Sequence, residues 1–387
     1  MFSQRSAVPP ESNQLSQAVA ARRAVGLPVL DLTESNPTRT TLAVSPAELC
    51  AWLEHDANAR YEPEPFGLPL ARKAVARHHG VTAERVVLAA STSEAYGWLF
   101  QLLCEPGDAV LVPAPSYPLF EHLARLQGVE LRTYASRFVG GEWQIDQTDL
   151  LATPRLRAVL LVTPNNPTGA AVQAAEVEAL TAFCCHHGLA LISDEVFADT
   201  LPAELAHGRV RTLAHEQRCL TFVLSGLSKL ALLPQLKCGW LLANGPPLLV
   251  DEALRRLEVI ADTCLSVATP VQNALPRLLE EVPRLQRGVR ARLLANRQLL
   301  GSALVGSLAS LLPADGGWSA IVRMPRIWSD EQWAHRLLAD HGVLVQPGWL
   351  YDLPEGHLVL SVLPDPEVFA RGVAALLRLL ATPSLEK

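Results

Sequence analysis

Short aliphatic runs alternating with longer helix-periodic segments predict an α/β protein. A large domain carries a mainly parallel seven-stranded sheet between helices, and a small α+β domain is formed from both termini. Two further observations support this division. Successive apolar runs stop in polar turns, as parallel strands do at their carboxyl ends, and the texture changes after residue 312, where short strands and helices replace long ones.

The expected strands, in order, are Val86 to Ala89, Ala109 to Val112, Glu130 to Tyr134, Ala158 to Val162, Ala190 to Ser193, Thr221 to Ser225 and Cys238 to Ala243. Each is a β-branched or aliphatic run of strand length. Helices are expected over Ser93 to Cys104, Leu119 to Gln127, Ala174 to His187 and Pro247 to Ile260, because each shows helical periodicity and stops near Gly, Pro or a polar cluster. The periodic segment Arg284 to Leu312 contains no proline and exceeds the usual helix length, so it is expected to bridge two domains. Beyond it come strand-like Ser319 to Met324, helix-like Asp330 to Asp340, strand-like Val343 to Gln346 and Leu358 to Val362, and a final helix from Asp365 to Leu380. The large domain is therefore placed at 41–283, and the small one at 1–40 and 284–387.

Composition narrows the function. In a chain of 387 residues, 49% hydrophobic content is enough for a large core. The 33 basic and 39 acidic residues give a net charge of -6 without long runs, which argues against a nucleic-acid stripe or a polybasic membrane segment. The first twenty residues lack an unbroken apolar stretch, and no run of about 18 apolar residues occurs, so a cytoplasmic protein is expected. Seven cysteines without regular spacing read as reduced core thiols. The Cys184-Cys185-His186-His187 cluster lies within an apolar helical pattern and lacks paired ligand spacing, so helix-end packing is expected there and no metal.

Three strand ends carry the chemistry. Val159 to Gly169 is an apolar strand halted by an Asn-Pro-Thr-Gly turn, Leu191-Ile192-Ser193 runs into Asp194-Glu195, and Phe222 to Ser225 leads through Gly226-Leu227-Ser228 to Lys229. Carboxyl ends of strands are where open α/β sheets bind ligands, and three such ends converge on one crevice. Taken singly, each has a plainer explanation. The first is a strand-ending turn, Asp194 could cap a helix, and Ser91 with Glu94 forms a capping box.

Together, the Asn-Pro-Thr-Gly turn, Ser-Asp-Glu and Ser-x-x-Ser-Lys turn resemble class I/II aminotransferases of the pyridoxal-phosphate (PLP) fold-type I group. Other segments fit in the same order: Tyr61-Glu62-Pro63 with Gly67, Ser91-Thr92-Ser93-Glu94-Ala95, Glu105-Pro106-Gly107-Asp108, Pro113-Ala114-Pro115-Ser116-Tyr117-Pro118 and Pro347-Gly348. The likeness covers roughly residues 28 to 380. It implies a Schiff base between PLP and Lys229, which also serves as the base, and pairing of Asp194 with the pyridine nitrogen. It further implies that Asn166 donates to the phenolic oxygen and that Tyr117 stacks on the ring. Ser91, Thr92 and Ser93 take the phosphate at a helix N-terminus. Tyr61 crosses to the phosphate of a neighbouring subunit, which implies a homodimer with shared active sites. The expected substrates are a small-molecule amino donor and a 2-oxo acid.

Four positions depart from that pattern. Lys237 stands where an arginine grips the phosphate, so the charge is kept and the bidentate fork is lost. Gly226 replaces a phosphate-binding serine, with neighbouring Ser225 as a substitute. Phe197 replaces a tyrosine that donates to the phenolic oxygen, which leaves more negative charge there and is expected to raise the pKa of the imine proton. Val359 occupies the place of the arginine that clamps the substrate α-carboxylate. Arg39, in Glu34-Ser35-Asn36-Pro37-Thr38-Arg39, is the candidate replacement, with Asn36 beside it at the substrate. Transamination is the leading expectation. A PLP-dependent lyase, decarboxylase or amine-directed enzyme, and a catalytically weakened regulatory protein, are the alternatives.

Overall fold

The computed structural model describes residues 1–7 and 13–381. Its main sheet has eight strands, in spatial order Val86–Ala89, Gly239–Asn244, Thr221–Gly226, Ala190–Asp194, Leu156–Val162, Ala109–Ala114, Glu130–Val139 and Glu142–Ile145. Pairing is parallel from Thr221–Gly226 across to Glu130–Val139, while Gly239–Asn244 runs against both its neighbours. The central strands are buried almost residue for residue, because helices cover both faces of a parallel sheet.

The seven expected strands are all present, and the eighth is an addition. Glu142–Ile145 folds back on Glu130–Val139 through Gly140 and Gly141, both at positive φ. A two-residue turn of this kind suits glycine at both central positions. The hairpin is exposed on much of its surface, so its residues lack the aliphatic run that marked the inner strands.

The helices over Leu119–Gln127 and Ala174–His187 have the expected bounds, and Thr92–Leu103 lies one residue earlier than expected. The long helix differs. It runs from Thr269 to Leu304 with Pro276 and Pro283 inside it, whereas the expected segment began at Arg284, after the prolines, and continued to Leu312. Proline removes an intrahelical bond. Here the apolar face that includes Leu275, Leu278, Val282, Leu285, Val289 and Leu293 is buried on both sides of the prolines, and that packing holds the helix continuous. The expected boundary between 283 and 284 thus falls inside one helix, and residues 8–12 and 382–387 of the expected small domain lie outside the described residues.

A second, antiparallel sheet has the order Ser310–Leu311, Ser319–Arg323, His357–Ser361, Gln346–Pro347. The strand expected over Val343 to Gln346 is two separate pairings: Val343–Leu344 lies parallel to Leu30–Asp31, and Gln346–Pro347 joins the small sheet. Alternation puts Val359 and Ser361 on one face, opposite Ile321 and Ser319, while Leu358 and Leu360 enter the core beneath.

The Asn-Pro-Thr-Gly turn ties the two sheets together. The Gly169 carbonyl accepts from the N–H groups of Asp315 (3.0 Å) and Gly316 (2.9 Å), just ahead of the Ser319 strand. Gly169 has φ +69°, and a Cβ there would lie 2.5 Å from the Gly316 carbonyl oxygen. Gly169→Ala is therefore expected to cost about 2–4 kcal/mol in urea unfolding, the sum of left-handed strain and overpacking. Gly140→Ala meets nothing within 4 Å and should cost only about 1–2 kcal/mol.

Candidate active site

The carboxyl ends of three adjacent parallel strands open into a cavity of about 460 Å³. Cross-strand pairing puts Val162 level with Asp194, and Asp194 level with Leu224. The chain beyond each strand then delivers Asn166, Asp194 itself and Lys229 to the same space.

Asp194 is buried at 7% exposure. Its Oδ2 accepts from the Tyr96 hydroxyl at 2.8 Å and its Oδ1 from the Val196 N–H at 3.2 Å. Burial pushes the carboxyl above its ordinary range, while Tyr96, Val196 and Lys229 act in the opposite sense. Lys229 is partly buried, and its Nζ lies 4.7 Å from the Trp318 ring centroid and 5.8 Å from that of Phe197. Burial lowers this amine from 10.5 to about 8, against the pull of Asp194. Asn166 Oδ1 accepts from the Ser319 hydroxyl at 3.0 Å, which leaves the amide Nδ2 as the free donor.

At the other end of the cavity Ser91, Thr92 and Ser93 begin the Thr92–Leu103 helix. Ser91 Oγ is its N-cap, accepting from the Glu94 N–H at 3.1 Å. The expected reciprocal bond is displaced by one residue, since the Glu94 carboxylate accepts from the Ala90 N–H and also from the Ser266 hydroxyl. The first-turn N–H groups and helix dipole favour an anion there. Lys237, in a left-handed turn at φ 51°, adds positive charge to the cavity wall, and the Ser228 hydroxyl lies on the same wall. Glycine creates the room. A Cβ on Gly239 would stand 3.0 Å from the Thr92 nitrogen, and one on Gly226 would stand 2.8 Å from the Gly239 Cα.

This donor set fits PLP. The helix terminus with Lys237 and Ser228 suits the dianionic phosphate, and Asp194 suits a protonated ring nitrogen. Asn166 suits the phenolic oxygen, and Lys229 the aldehyde. Tyr117 also lines the cavity, 43% exposed and edge-on to Phe120 with centroids 6.1 Å apart.

The remaining expected residues lie elsewhere. Ser225 is a correction: strand alternation turns it to the opposite face, where it lines a separate cavity of about 160 Å³ with Glu195 and His79. Arg39 is a second. Its side chain is 72% exposed and pairs with Glu34 at 3.4 Å, outside the cavity wall. Asn36 is also absent from the wall, its Oδ1 capping the turn by accepting from the Thr38 N–H, and Ser35 lines the cavity in its stead. Tyr61 is 73% exposed and borders another cleft with Leu265 to Thr269. Val359 is buried in an apolar cluster with Ile321, Trp143 and Tyr351.

Sequence reasoning missed Tyr96, Trp318, Ser228 and Ser319. Ser228 was legible, since it directly precedes Lys229. Tyr96 and Trp318 carried no signal, because their roles depend on neighbours about a hundred residues away.

Tyr96 yields a specific expectation. Removing a hydrogen bond to a charged group costs about 1.5–3 kcal/mol, roughly one to two pH units. Tyr96→Phe leaves Asp194 with one donor fewer, so its carboxyl rises further and holds its proton to higher pH. The acid limb of PLP binding, followed by absorbance titration across pH, should shift upward by about that amount. An unmoved limb would count against Tyr96 acting on Asp194.

Comparison with known proteins agrees with this geometry. Residues 28–376 match the model of the family described as aminotransferase class I and II. The glutamate-pyruvate aminotransferase AlaA of Escherichia coli K12 is 31% identical over 221 residues, 55% of this chain and 54% of that protein. The match thus spans about half the length of that relative. An alanine aminotransferase of Mycobacterium bovis is 29% identical over 316 residues, 77% of this chain and 73% of that protein. The solved alanine aminotransferase of Pyrococcus furiosus superposes with a TM-score of 0.88 at 22% identity, covering 98% of this chain and 100% of that one, a likeness of fold. With the family match running across nearly the whole sequence and the cavity holding the groups its cofactor requires, this chain belongs to the class I and II aminotransferases, whose members use pyridoxal phosphate.

Proposed function

We propose that this chain is a PLP-dependent aminotransferase that moves an amino group between an amino acid or amine and a 2-oxo acid. The observation that carries the reading is the Lys229 amine, lowered to about 8 by burial and facing the same cavity as the Asp194 carboxylate. An ordinary surface lysine stays charged at neutral pH, whereas this one releases its proton readily enough to attack a carbonyl and then act as a base. The names of the relatives, glutamate-pyruvate and alanine aminotransferases, support the pairing of amino and 2-oxo acids.

When bound, PLP supplies the electron sink for the departing Cα proton. The chain's residues create the conditions for that chemistry. Asp194, whose carboxylate form the Tyr96 hydroxyl favours, would pair with a protonated ring nitrogen. Asn166, turned by Ser319, would donate to the phenolic oxygen. The Thr92–Leu103 helix terminus and Lys237 would hold the phosphate. Trp318 and Phe197 lie over the Lys229 amine, which would hold the aldehyde and take up the proton that leaves the substrate carbon.

We further propose a homodimer in which Tyr61 of a second copy reaches the phosphate. Its 73% exposure in the single chain is consistent with a residue that finds its partner across an interface.

Two measurements test the main reading. Adduct formation between the apoprotein and PLP, followed by absorbance and borohydride trapping, should rise with pH through about 8, well below the 10.5 of a free lysine. The sign follows from the nucleophile, since only the neutral amine attacks and its fraction grows as pH passes the lowered pKa. A rise centred near 10.5 would remove the argument from burial. Lys229→Ala should retain the fold by circular dichroism, yield no trapped adduct at position 229 and lose roughly 10²–10⁴-fold or more in turnover.

A further inference from the structure

We infer that the preferred amino donor is an amine bearing neutral oxygen functions, such as an amino alcohol or amino amide, in place of an α-amino acid carboxylate. This rests on the transamination reading above and names its substrate class. Among the described residues, only three that line the cavity carry a carboxyl or amine side chain, Asp194, Lys229 and Lys237, and none carries a guanidinium. Each already has a task, at the ring nitrogen, the aldehyde and the phosphate. With a phosphate dianion bound, the described residues of the single chain leave no further cation on the wall for a second anion.

The wall that faces an incoming substrate is polar and neutral. Ser319, Gln346 and Ser361 come from the small sheet, Tyr351 from the turn beside it, and Thr33 and Ser35 from the N-terminal segment. Their internal bonds leave defined groups free. Tyr351 donates to Gln346 Oε1 at 2.6 Å, so the two hydrogens on Gln346 Nε2 stay available. Ser361 Oγ accepts from the Leu363 N–H at 3.2 Å and keeps its own hydrogen to donate. Such groups hydrogen-bond a hydroxyl or carbonyl oxygen well. A carboxylate would have to leave water without a counter-charge.

The surrounding arginines do not fill the gap. Arg39 is paired with Glu34 outside the wall, Arg297 donates to the backbone carbonyls of Gly316, Gly317 and Ser319, and Arg292 is paired with Asp365. The residue paired with Gln346 on the adjacent strand of the small sheet is the buried Val359.

In the half-reaction the donor carbon is oxidised to a carbonyl, and the cofactor's aldehyde carbon is reduced to an aminomethyl group. The nitrogen passes from donor to cofactor, the aldehyde oxygen is released as water, and a water supplies the oxygen of the product carbonyl. Lys229 moves the proton from donor carbon to cofactor carbon, so no outside oxidant is needed. An acceptor carbonyl oxygen meets the same neutral donors.

The test uses the PLP-loaded protein and single-turnover absorbance, which follows conversion of the aldehyde to the amine form. The probes are L-alanine, L-glutamate and L-aspartate against L-alaninol and L-alaninamide. The expected result is at least tenfold greater efficiency for alaninol or alaninamide than for alanine. Gln346→Arg, which places a cation on the wall, should raise the efficiency with alanine at least tenfold and lower that with alaninol. Equal or better reaction of the amino acids in the unmodified protein overturns the inference, and loss of that reaction in Arg39→Ala would identify Arg39 as the clamp. If no probe yields the amine form although borohydride traps an adduct at Lys229, the inference and the transamination reading fall together. Should Gln346→Arg not fold, the panel on the unmodified protein still decides.

Discussion

The site depends on the hydrogen-bond register that aligns Val162, Asp194 and Leu224 across three parallel strands. Because strand residues alternate between faces, a slip of one residue would exchange Asp194 with a neighbour on the other side. The sequence places Glu195 directly after Asp194, and the fold separates them. Asp194 faces the cavity, while Glu195 accepts from the Ser193 hydroxyl and the Leu213 N–H, each at 2.8 Å. Burial raises Glu195 to about 7, so the two adjacent carboxylates occupy distinct environments and serve distinct ends. Ser225 obeys the same rule, and for that reason it lies behind the sheet instead of beside the phosphate end.

A second constraint is close packing at the phosphate end. Gly226 and Gly239 lie on paired strands that run in opposite directions, and Gly239 lies against the first turn of the Thr92–Leu103 helix. Any larger residue at 239 would push that turn away from the cavity. The replacement of a serine by Gly226 therefore reads as part of a local geometry in which backbone approaches backbone, with Ser228 and Lys237 supplying polar groups nearby. Lysine in place of arginine keeps the charge and gives up the planar two-point grip, so orientation of a bound phosphate would fall more heavily on the helix terminus.

The chemistry at the centre is a balance of burial against charge. Drying the Lys229 amine lowers its pKa and drying Asp194 raises its own, so each moves toward neutrality unless something opposes it. Tyr96 supplies the opposition on the carboxylate side. Its phenol is itself buried and pushed well above its usual range, so it stays protonated and can only donate. On the lysine side Trp318 and Phe197 supply aromatic faces, which attract the cationic form while keeping water away. The small sheet completes the enclosure through Ser319, Gln346 and Ser361, and the Gly169 turn ties the loop ahead of it to the main sheet.

Much of this was legible in the sequence. The inner strands were readable because strands buried on both faces appear as unbroken aliphatic runs, and the strand-end turns because Asn, Pro, Gly and a lone lysine interrupt those runs abruptly. Lys229, Asp194, Asn166, Tyr117, Lys237 and Ser91 to Ser93 followed from the resemblance to the class I and II aminotransferases, and the cavity contains them all. The exposed Glu142–Ile145 strand and the prolines inside Thr269–Leu304 were not readable, since edge pairing and helix continuity there depend on what packs alongside. Nor were Tyr96, Trp318 and the neutral wall, which are assembled from segments far apart in the chain. The sequence by itself determined which residues stand at the ends of strands, because local periodicity and turn chemistry act over a few residues. Only the tertiary structure decided which of them share a dry space, because burial and hydrogen-bond partners are properties of the packed whole.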